Sequence, residues 1–394
     1  MNKGNDRIKK SVIAAVLAAA CFTACANDCG GEAIAAKIPE GVQWGVTFGF
    51  YGSNAYYSSE KAKEEVDAIA RAGANWVTVV ATVWQDTCQS TFQYADFDLT
   101  PDDLALKDII DYSHAKGLKV QLRPMLECKD GYGRLSVWLP AEGGKRMHGR
   151  CSTARKEWFE SLKKRSAHYA RVARRTRCEA FCIDSELDRM VEETELWKDV
   201  IAAVRKEYSG PVTSCHTLHT GKVDFLKFLS DRNHWFHSLD YLSISYYCPA
   251  KKEDEAGKSL CVEDMVANLQ GAKAKMKAIA DAIGRPVVFG ECGCASMKDG
   301  AMNPSATSPF GDPDEEEQAC YAEALFRVFA GEKWCRGFHW WKWDQNSPQR
   351  PDITREQVHA TDFTLRGKKA ETVFRKWATG GKLGKVGDRP LSTR

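Results

Sequence analysis

The chain has 394 residues, with 56 Lys and Arg against 53 Asp and Glu, for a formal net charge of +3. That near balance, with no concentrated basic stripe, excludes a nucleic-acid-binding surface. The length suits one large core of the α/β-barrel type, which runs to about 250 residues or more with insertions.

The N-terminus reads as a targeting segment. Lys3, Arg7, Lys9 and Lys10 form a basic start, and Ser11 to Ala20 is apolar but far below the ~20 residues of a spanning helix. Residues 1–25 are therefore taken as a signal peptide. Ala18-Ala19-Ala20-Cys21 and Phe22-Thr23-Ala24-Cys25 both resemble a bacterial lipoprotein cleavage site. The expectation is an exported, periplasmic or cell-surface lipoprotein anchored through Cys21 or Cys25, with plain secretion as the alternative. Residues 26–40 read as a linker, 41–380 as one catalytic domain and 381–394 as a tail.

From there strand and helix signals alternate. Gly45 to Phe50 is a strand, and Ser58 to Ala72 a helix with Ala62, Val66, Ile69 and Ala70 on one face before Gly73. Asn75 to Val83 is a second strand, rich in Val and Thr. A helix starts at Thr100-Pro101-Asp102-Asp103 and stops at Gly117, and Leu118 to Met125 is strand three. A glycine-containing excursion from Lys129 to about Ser152 is long enough to be functional. Ser152 to Arg174 is a basic helix. Strands at Ala180–Asp184, Val212–Cys215, Leu239–Tyr246, Pro286–Gly290 and Gly337–Trp341 alternate with helices at 195–208, 223–230, 262–283 and 315–330, and a last helix spans 368–378. Eight buried strands with helices between them predict a closed parallel (β/α)8 barrel in a single domain.

The fifteen cysteines carry no zinc spacing; Cys178/Cys182 and Cys292/Cys294 are the closest pairs, and no metal is expected. Most read as small buried hydrophobes, although export would permit disulfides.

Two strands end in a glutamate, Phe181-Cys182-Ile183-Asp184-Ser185-Glu186 and Val287-Val288-Phe289-Gly290-Glu291. An apolar strand ends in a carboxylate only where that group finds a solvated pocket or a partner. In a barrel of this type the strands' C-terminal ends build the site. The other ends offer Trp84 and Gln85, Arg123 with Glu127 beyond it, His216, Tyr246 and Tyr247, and Trp340 and Trp341. Rings that stack on sugar faces, mixed with groups that hydrogen-bond their rims, make an oligo- or polysaccharide the expected partner. Neighbours on a strand face opposite ways, so only one of Trp340 and Trp341 points inward.

The order of strand-four glutamate, strand-six tyrosine, strand-seven glutamate and strand-eight tryptophan resembles the clan A retaining glycoside hydrolases. The closer resemblance is to family 113, the β-1,4-mannanase-type barrels. Asn75-Trp76-Val77-Thr78-Val79-Val80 through Trp84-Gln85, Gly117 to Pro124, Leu239 to Tyr247, Arg285 to Gly293 and Gly337 to Trp341 carry it, over about Gly45 to Trp377. The resemblance implies Glu186 as general acid/base and Glu291 as nucleophile, with Tyr246 or Tyr247 donating to Glu291 and no cofactor. It implies roles near substrate for Trp84 and Gln85. Three places depart from the family: Asp184-Ser185 where Gly-Thr is usual, Thr213-Ser214-Cys215-His216 where an Asn is, and Cys292-Gly293-Cys294 after the nucleophile. A β-glucan-, xylan- or exo-acting enzyme of the same clan, and a catalytically silent glycan-binding lipoprotein, remain as alternatives.

Overall fold

The computed structural model describes residues 41–140, 153–217, 225–306, 308, 310–343 and 360–381. The signal peptide, linker, Cys21, Cys25, the far part of the excursion and the C-terminal tail after residue 381 lie outside the described residues.

Eight parallel strands close into one barrel in chain order, with the last pairing the first. They are β1 Gln43–Phe48, β2 Trp76–Gln85, β3 Lys119–Cys128, β4 Ala180–Ser185, β5 Val212–Thr217, β6 Leu242–Ser245, β7 Val287–Cys292 and β8 Cys335–Trp340. The helices are α1 Glu60–Arg71, α2 Asp103–Ala115, α3 Ala154–Arg175, α4 Thr194–Glu207, α5 Phe225–Ser230, α6 Val262–Asn268, α7 Gln270–Ile283, α8 Glu315–Phe329 and α9 Lys369–Ala378. The expected fold is present, with shifted strand ends, among them β6 at Leu242–Ser245 and β5 running on to Thr217, and with differences in two helices. The helix read over 262–283 is two, meeting at Leu269 next to the weak helix former Gly271. Helix α2 is capped by Asp102, whose carboxylate accepts from Ala105 N at 2.7 Å, so Pro101 precedes the cap instead of opening the first turn.

Alternation along each strand separates two environments. Outward residues such as Val46, Phe48, Val77, Val79, Phe181 and Phe289 pack against the helices in the main apolar core. The barrel interior is polar at its lower end. His339 bonds Gln43 Oε1 at 2.9 Å and Thr78 Oγ1 at 2.7 Å; Gln121 donates to Thr78 at 3.0 Å, and Tyr241 donates to Gln121 at 2.7 Å. Gly45 makes room for this layer, because a Cβ there would lie 2.7 Å from His339 Nδ1. A linked chain of donors and acceptors tolerates burial better than isolated polar groups would, although Gln43 Nε2 is left without a partner among the described residues.

Register shifts interrupt β4, β7 and β8, the last where Val287 and Val288 pair with Cys335 and Gly337. Cys182 pairs with Thr213 and Ser185 with Cys215, so β4 fits three steps against two of β5. Ile244 pairs with Phe289 and Ser245 with Glu291, so β7 also carries one extra residue, Gly290. A bulge of this kind re-aims the side chains after it. β4 and β7 are the strands that carry the glutamates.

The described cysteines are free thiols, most of them buried. No helix among the described residues is long and apolar enough to cross a membrane.

Candidate active site

The bulge in β4 turns Asp184 outward and Ser185 inward. Asp184 pairs with Arg165 on α3 and accepts from the amides of Leu126 at 3.2 Å and Ser185 at 2.7 Å. The extra carboxylate beside Glu186 is thus matched by a cation on the outer face. Glu186 follows in the left-handed region, φ 60°, its amide donating to Cys215 O at 2.8 Å. A non-glycine residue pays conformational energy there, which the surrounding contacts must offset.

The bulge in β7 places Gly290 and Glu291 side by side over Arg123. The Arg123 guanidinium, fully buried, donates from Nη1 to Glu291 Oε1 and from Nη2 to Gly290 O, both at 2.9 Å. Ser185 Oγ donates to Glu291 Oε1 at 2.7 Å, and Tyr247 OH reaches Oε2 at 3.4 Å. Burial pushes the Glu291 carboxyl up and the Glu186 carboxylate beside it adds to that; Arg123, Arg134 and the Ser185 hydroxyl pull the other way.

One hydroxyl links the two glutamates. Ser245 Oγ lies 2.7 Å from Glu186 Oε1 and 3.5 Å from Glu291 Oε2. The triangle through that oxygen keeps those two carboxyl oxygens within about 6 Å of each other, near the roughly 5–5.5 Å carboxyl spacing of one class of glycosidase.

Arg134 closes the other side of Glu186, its Nη2 2.8 Å from Oε2, while Nη1 pairs with Glu127. Burial raises the Glu127 carboxyl and Arg134 opposes the shift. An aromatic and apolar wall runs around the opening: Trp341 against Phe50 at 4.9 Å between centroids, Phe50 against Tyr51 at 3.9 Å, Tyr51 stacked on Trp84 at 6.0 Å, and Tyr247 against Phe363 at 5.9 Å. Val80 and Met125 fill the space between them.

The structure therefore brings together Glu186, Glu291, Arg123, Glu127, Tyr247, Trp341 and Trp84. Four other sequence candidates fall away from this opening, each because it is the outward neighbour on its strand. Gln85 accepts from Trp158 Nε1 on α3 at 3.0 Å. His216 bonds Asp188 and Ser214, both at 3.0 Å, and packs on Trp235 and Phe236. Tyr246 lies against Phe289 and Phe329, and only its backbone amide meets Glu291, donating to the carbonyl at 2.7 Å. Trp340 sits in the core with Nε1 donating to Phe363 O at 2.7 Å. Sequence reasoning missed Ser185, Ser245 and Arg134. Ser245 was within reach of it, since Ser243, Ser245 and Tyr247 share a face by alternation. Arg134 had only its place in the long loop to mark it.

Among the described residues no group of three or more His, Cys, Asp or Glu could hold a metal ion. Two carboxylates with hydroxyl and guanidinium donors can act on a bond by acid, base and nucleophilic steps alone.

No curated protein matches the chain. Among solved structures it is similar to a family 113 β-1,4-mannanase, at 27% identity and TM-score 0.70, covering 86% of this chain and 99% of that one. It is similar also to a family 113 β-mannanase from Alicyclobacillus acidocaldarius in complex with ManMIm, at 26% identity and TM-score 0.71, covering 87% and 99%. A family 5 mannosidase from Rhizomucor miehei, 11% identical over 86% of this chain and 93% of its own with TM-score 0.57, shares the barrel fold alone. The family model of Glycoside Hydrolase Family 113 matches residues 46–368. The chain belongs to glycoside hydrolase family 113.

Proposed function

We propose that this glycoside hydrolase retains anomeric configuration and acts on β-1,4-linked mannan-type glycans, with Glu291 as nucleophile and Glu186 as general acid/base. The observation that carries the reading is the single Ser245 hydroxyl between the two carboxylates, 2.7 Å from one and 3.5 Å from the other. An inverting enzyme needs room for a water between carboxyls roughly 6.5–9.5 Å apart, and a retaining one does not. The sugar is read from the family 113 relatives, which are described as β-1,4-mannanases.

The donors divide the roles. Glu291 faces Arg123, Ser185, Tyr247 and Ser245, whereas Glu186 faces Arg134 and Ser245. The fuller donor set suits Glu291 to the nucleophile's role and leaves the acid/base role to Glu186. A Glu291 oxygen then attacks the anomeric carbon as the glycosidic C–O bond breaks, and the Glu186 proton passes to the leaving oxygen. In the second half Glu186 takes a proton from water, whose oxygen displaces Glu291. The buried Arg123 and the Ser185 hydroxyl are in place for the returning carboxylate, so that charge needs no solvent to reorganise. Trp341, just past β8 and walled by Phe50, offers the face on which the sugar stacks.

Proton NMR of the first product tests the assignment: β-anomer released from a β-1,4-mannan oligosaccharide is expected. Initial α-anomer, or no reducing sugar from any β-glycan by folded protein, overturns it. Residues 1–25 further support an exported, lipid-anchored chain; a mature mass that includes acylated Cys21 or Cys25 is the expected result, and an unprocessed N-terminus would refute it.

A further inference from the structure

Arg134 belongs to the 3-10 turn Arg134–Ser136 in the loop after β3, yet its guanidinium spans the mouth of the barrel. One arm holds Glu127 at the end of β3; the other holds Glu186 Oε2 at 2.8 Å. The Cζ atom lies 5.5 Å from the Phe50 ring, after β1, and 6.0 Å from the Trp341 ring, after β8. Contacts from four strand ends fix one cation, and the side chain is only 11% exposed.

We propose that Arg134 is the positioning residue of the acid/base, with Glu127 as the anchor that sets Arg134; this rests on the reading of Glu186 as the acid/base. Glu186 leaves β4 in a left-handed conformation, and its carboxyl has two polar holds, Ser245 on Oε1 and Arg134 on Oε2. A guanidinium only donates and bonds better to an unprotonated oxygen than to a hydroxyl oxygen, so it disfavours the acid's proton on the oxygen facing it. The proton is therefore favoured on Oε1, the oxygen beside Ser245, whose hydroxyl can accept as well as donate. Arg134 thus fixes the direction of the carboxyl and biases which atom delivers the proton. It does not mark a subsite for an acidic sugar. Arg123 and Arg134 stand against Glu127, Glu186 and Glu291, so the charge of these two guanidiniums is already matched within the site.

The test is the dependence on leaving group. Proton delivery matters for a sugar leaving group and hardly at all for 2,4-dinitrophenolate, which departs without protonation. The values of kcat/KM for a β-1,4-linked oligosaccharide and for a dinitrophenyl β-glycoside of the same sugar report the glycosylation step in both cases. Arg134→Ala is expected to lose about 100-fold on the oligosaccharide and less than about threefold on the aryl glycoside. Equal losses on both substrates, or no loss on either, overturn the proposal. Because Arg134→Ala strands a buried carboxylate at Glu127, the double variant Arg134→Ala/Glu127→Gln is measured beside it, with the same split expected and a melting temperature near wild type. Glu186→Ala separates the two levels of the argument. If it also shows the split while the Arg134 variants do not, only the role of Arg134 falls. If it loses equally on both substrates, the acid/base assignment falls and takes this proposal with it.

Discussion

Ser185 Oγ donates to Glu291 Oε1 at 2.7 Å, although Ser185 is the residue just before Glu186 in the chain. One turn of backbone after the β4 bulge thus serves both carboxylates: Ser185 holds one and Glu186 supplies the other. Ser185→Ala leaves that oxygen to Arg123 alone. A hydrogen bond to a charged group contributes about 1.5–3 kcal/mol, equivalent to roughly 10–100-fold in rate if it is felt in the transition state. The expected outcome is a fall of that size in kcat, with KM and melting temperature little changed. An unchanged kcat would show that the hydroxyl is idle in the reaction.

Adjacent tryptophans on β8 and just past it divide by face, and their variants divide by readout. Trp340 donates its indole N–H to Phe363 O and packs in the main core, whereas Trp341 joins Phe50, Val80, Met125 and Tyr247 at the opening. Trp340→Phe is expected to cost about 1–3 kcal/mol of stability through the lost hydrogen bond and lost volume, with kcat/KM per folded molecule preserved. Trp341→Phe is expected to lower kcat/KM about tenfold, in line with roughly 1–2 kcal/mol of ring contact, and to move the melting temperature less. Thermal melts beside steady-state kinetics decide this, and the reverse pattern would refute the assignment of faces.

The barrel and both glutamates were legible because the signals are local: eight apolar runs, each closed by turn residues, and two that end in Glu. The partners of the glutamates were legible only in part. Strict alternation identifies one of each neighbouring pair as inward, but not which one, and so Gln85, Tyr246 and Trp340 were carried along with Trp84, Tyr247 and Trp341. His216 looked like the end of a strand facing the opening; β5 continues through Thr217, and the imidazole turns outward to Asp188. The bulges in β4 and β7 shift the phase by one residue and have no sequence signature beyond Gly290, so the outward turn of Asp184 and the inward turn of Ser185 were not readable. Arg134 reaches the site from a loop whose path depends on long-range contacts with Glu127 and Glu186.

Gly290 is required by what lies across the barrel. A Cβ there would fall 2.0 Å from Ser243 Oγ, 3.1 Å from Cys215 Sγ and 3.2 Å from Arg123 Nη2. Gly290→Ala must displace the Ser243 side chain and crowds the guanidinium that holds Glu291. Overpacking of this kind costs about 1–3 kcal/mol, occasionally more. A lower melting temperature is expected together with a loss of at least about tenfold in kcat. Removing the closest obstacle, in Gly290→Ala/Ser243→Gly, is expected to restore part of the stability. No recovery in the double variant would place the strain elsewhere in β7.

His339 makes the stability of the barrel sensitive to acid. Burial, with the Arg123 charge adding to it, pushes its imidazole down to about 3. In the unfolded chain the same group titrates near 6.5. Between those values the unfolded chain binds a proton that the folded barrel refuses, so stability rises with pH across the window. The contribution is complete above about pH 6.5 and is lost as the pH falls toward 3, by up to about 1.4 kcal/mol per unit. His234, pushed down to about 4 by burial, acts in the same direction over a narrower range. The two rings between them make a difference between pH 7 and pH 4.5 that a neutral replacement should shrink. In His339→Gln the amide can bond Thr78 and Gln43 but takes up no proton, so the drop in unfolding free energy between the two pH values is expected to shrink by about 2 kcal/mol relative to wild type. Urea melts at each pH measure it. Parallel curves for the two proteins would mean that His339 is already protonated in the folded barrel or is never titrated in the unfolded chain, and would refute the buried neutral imidazole.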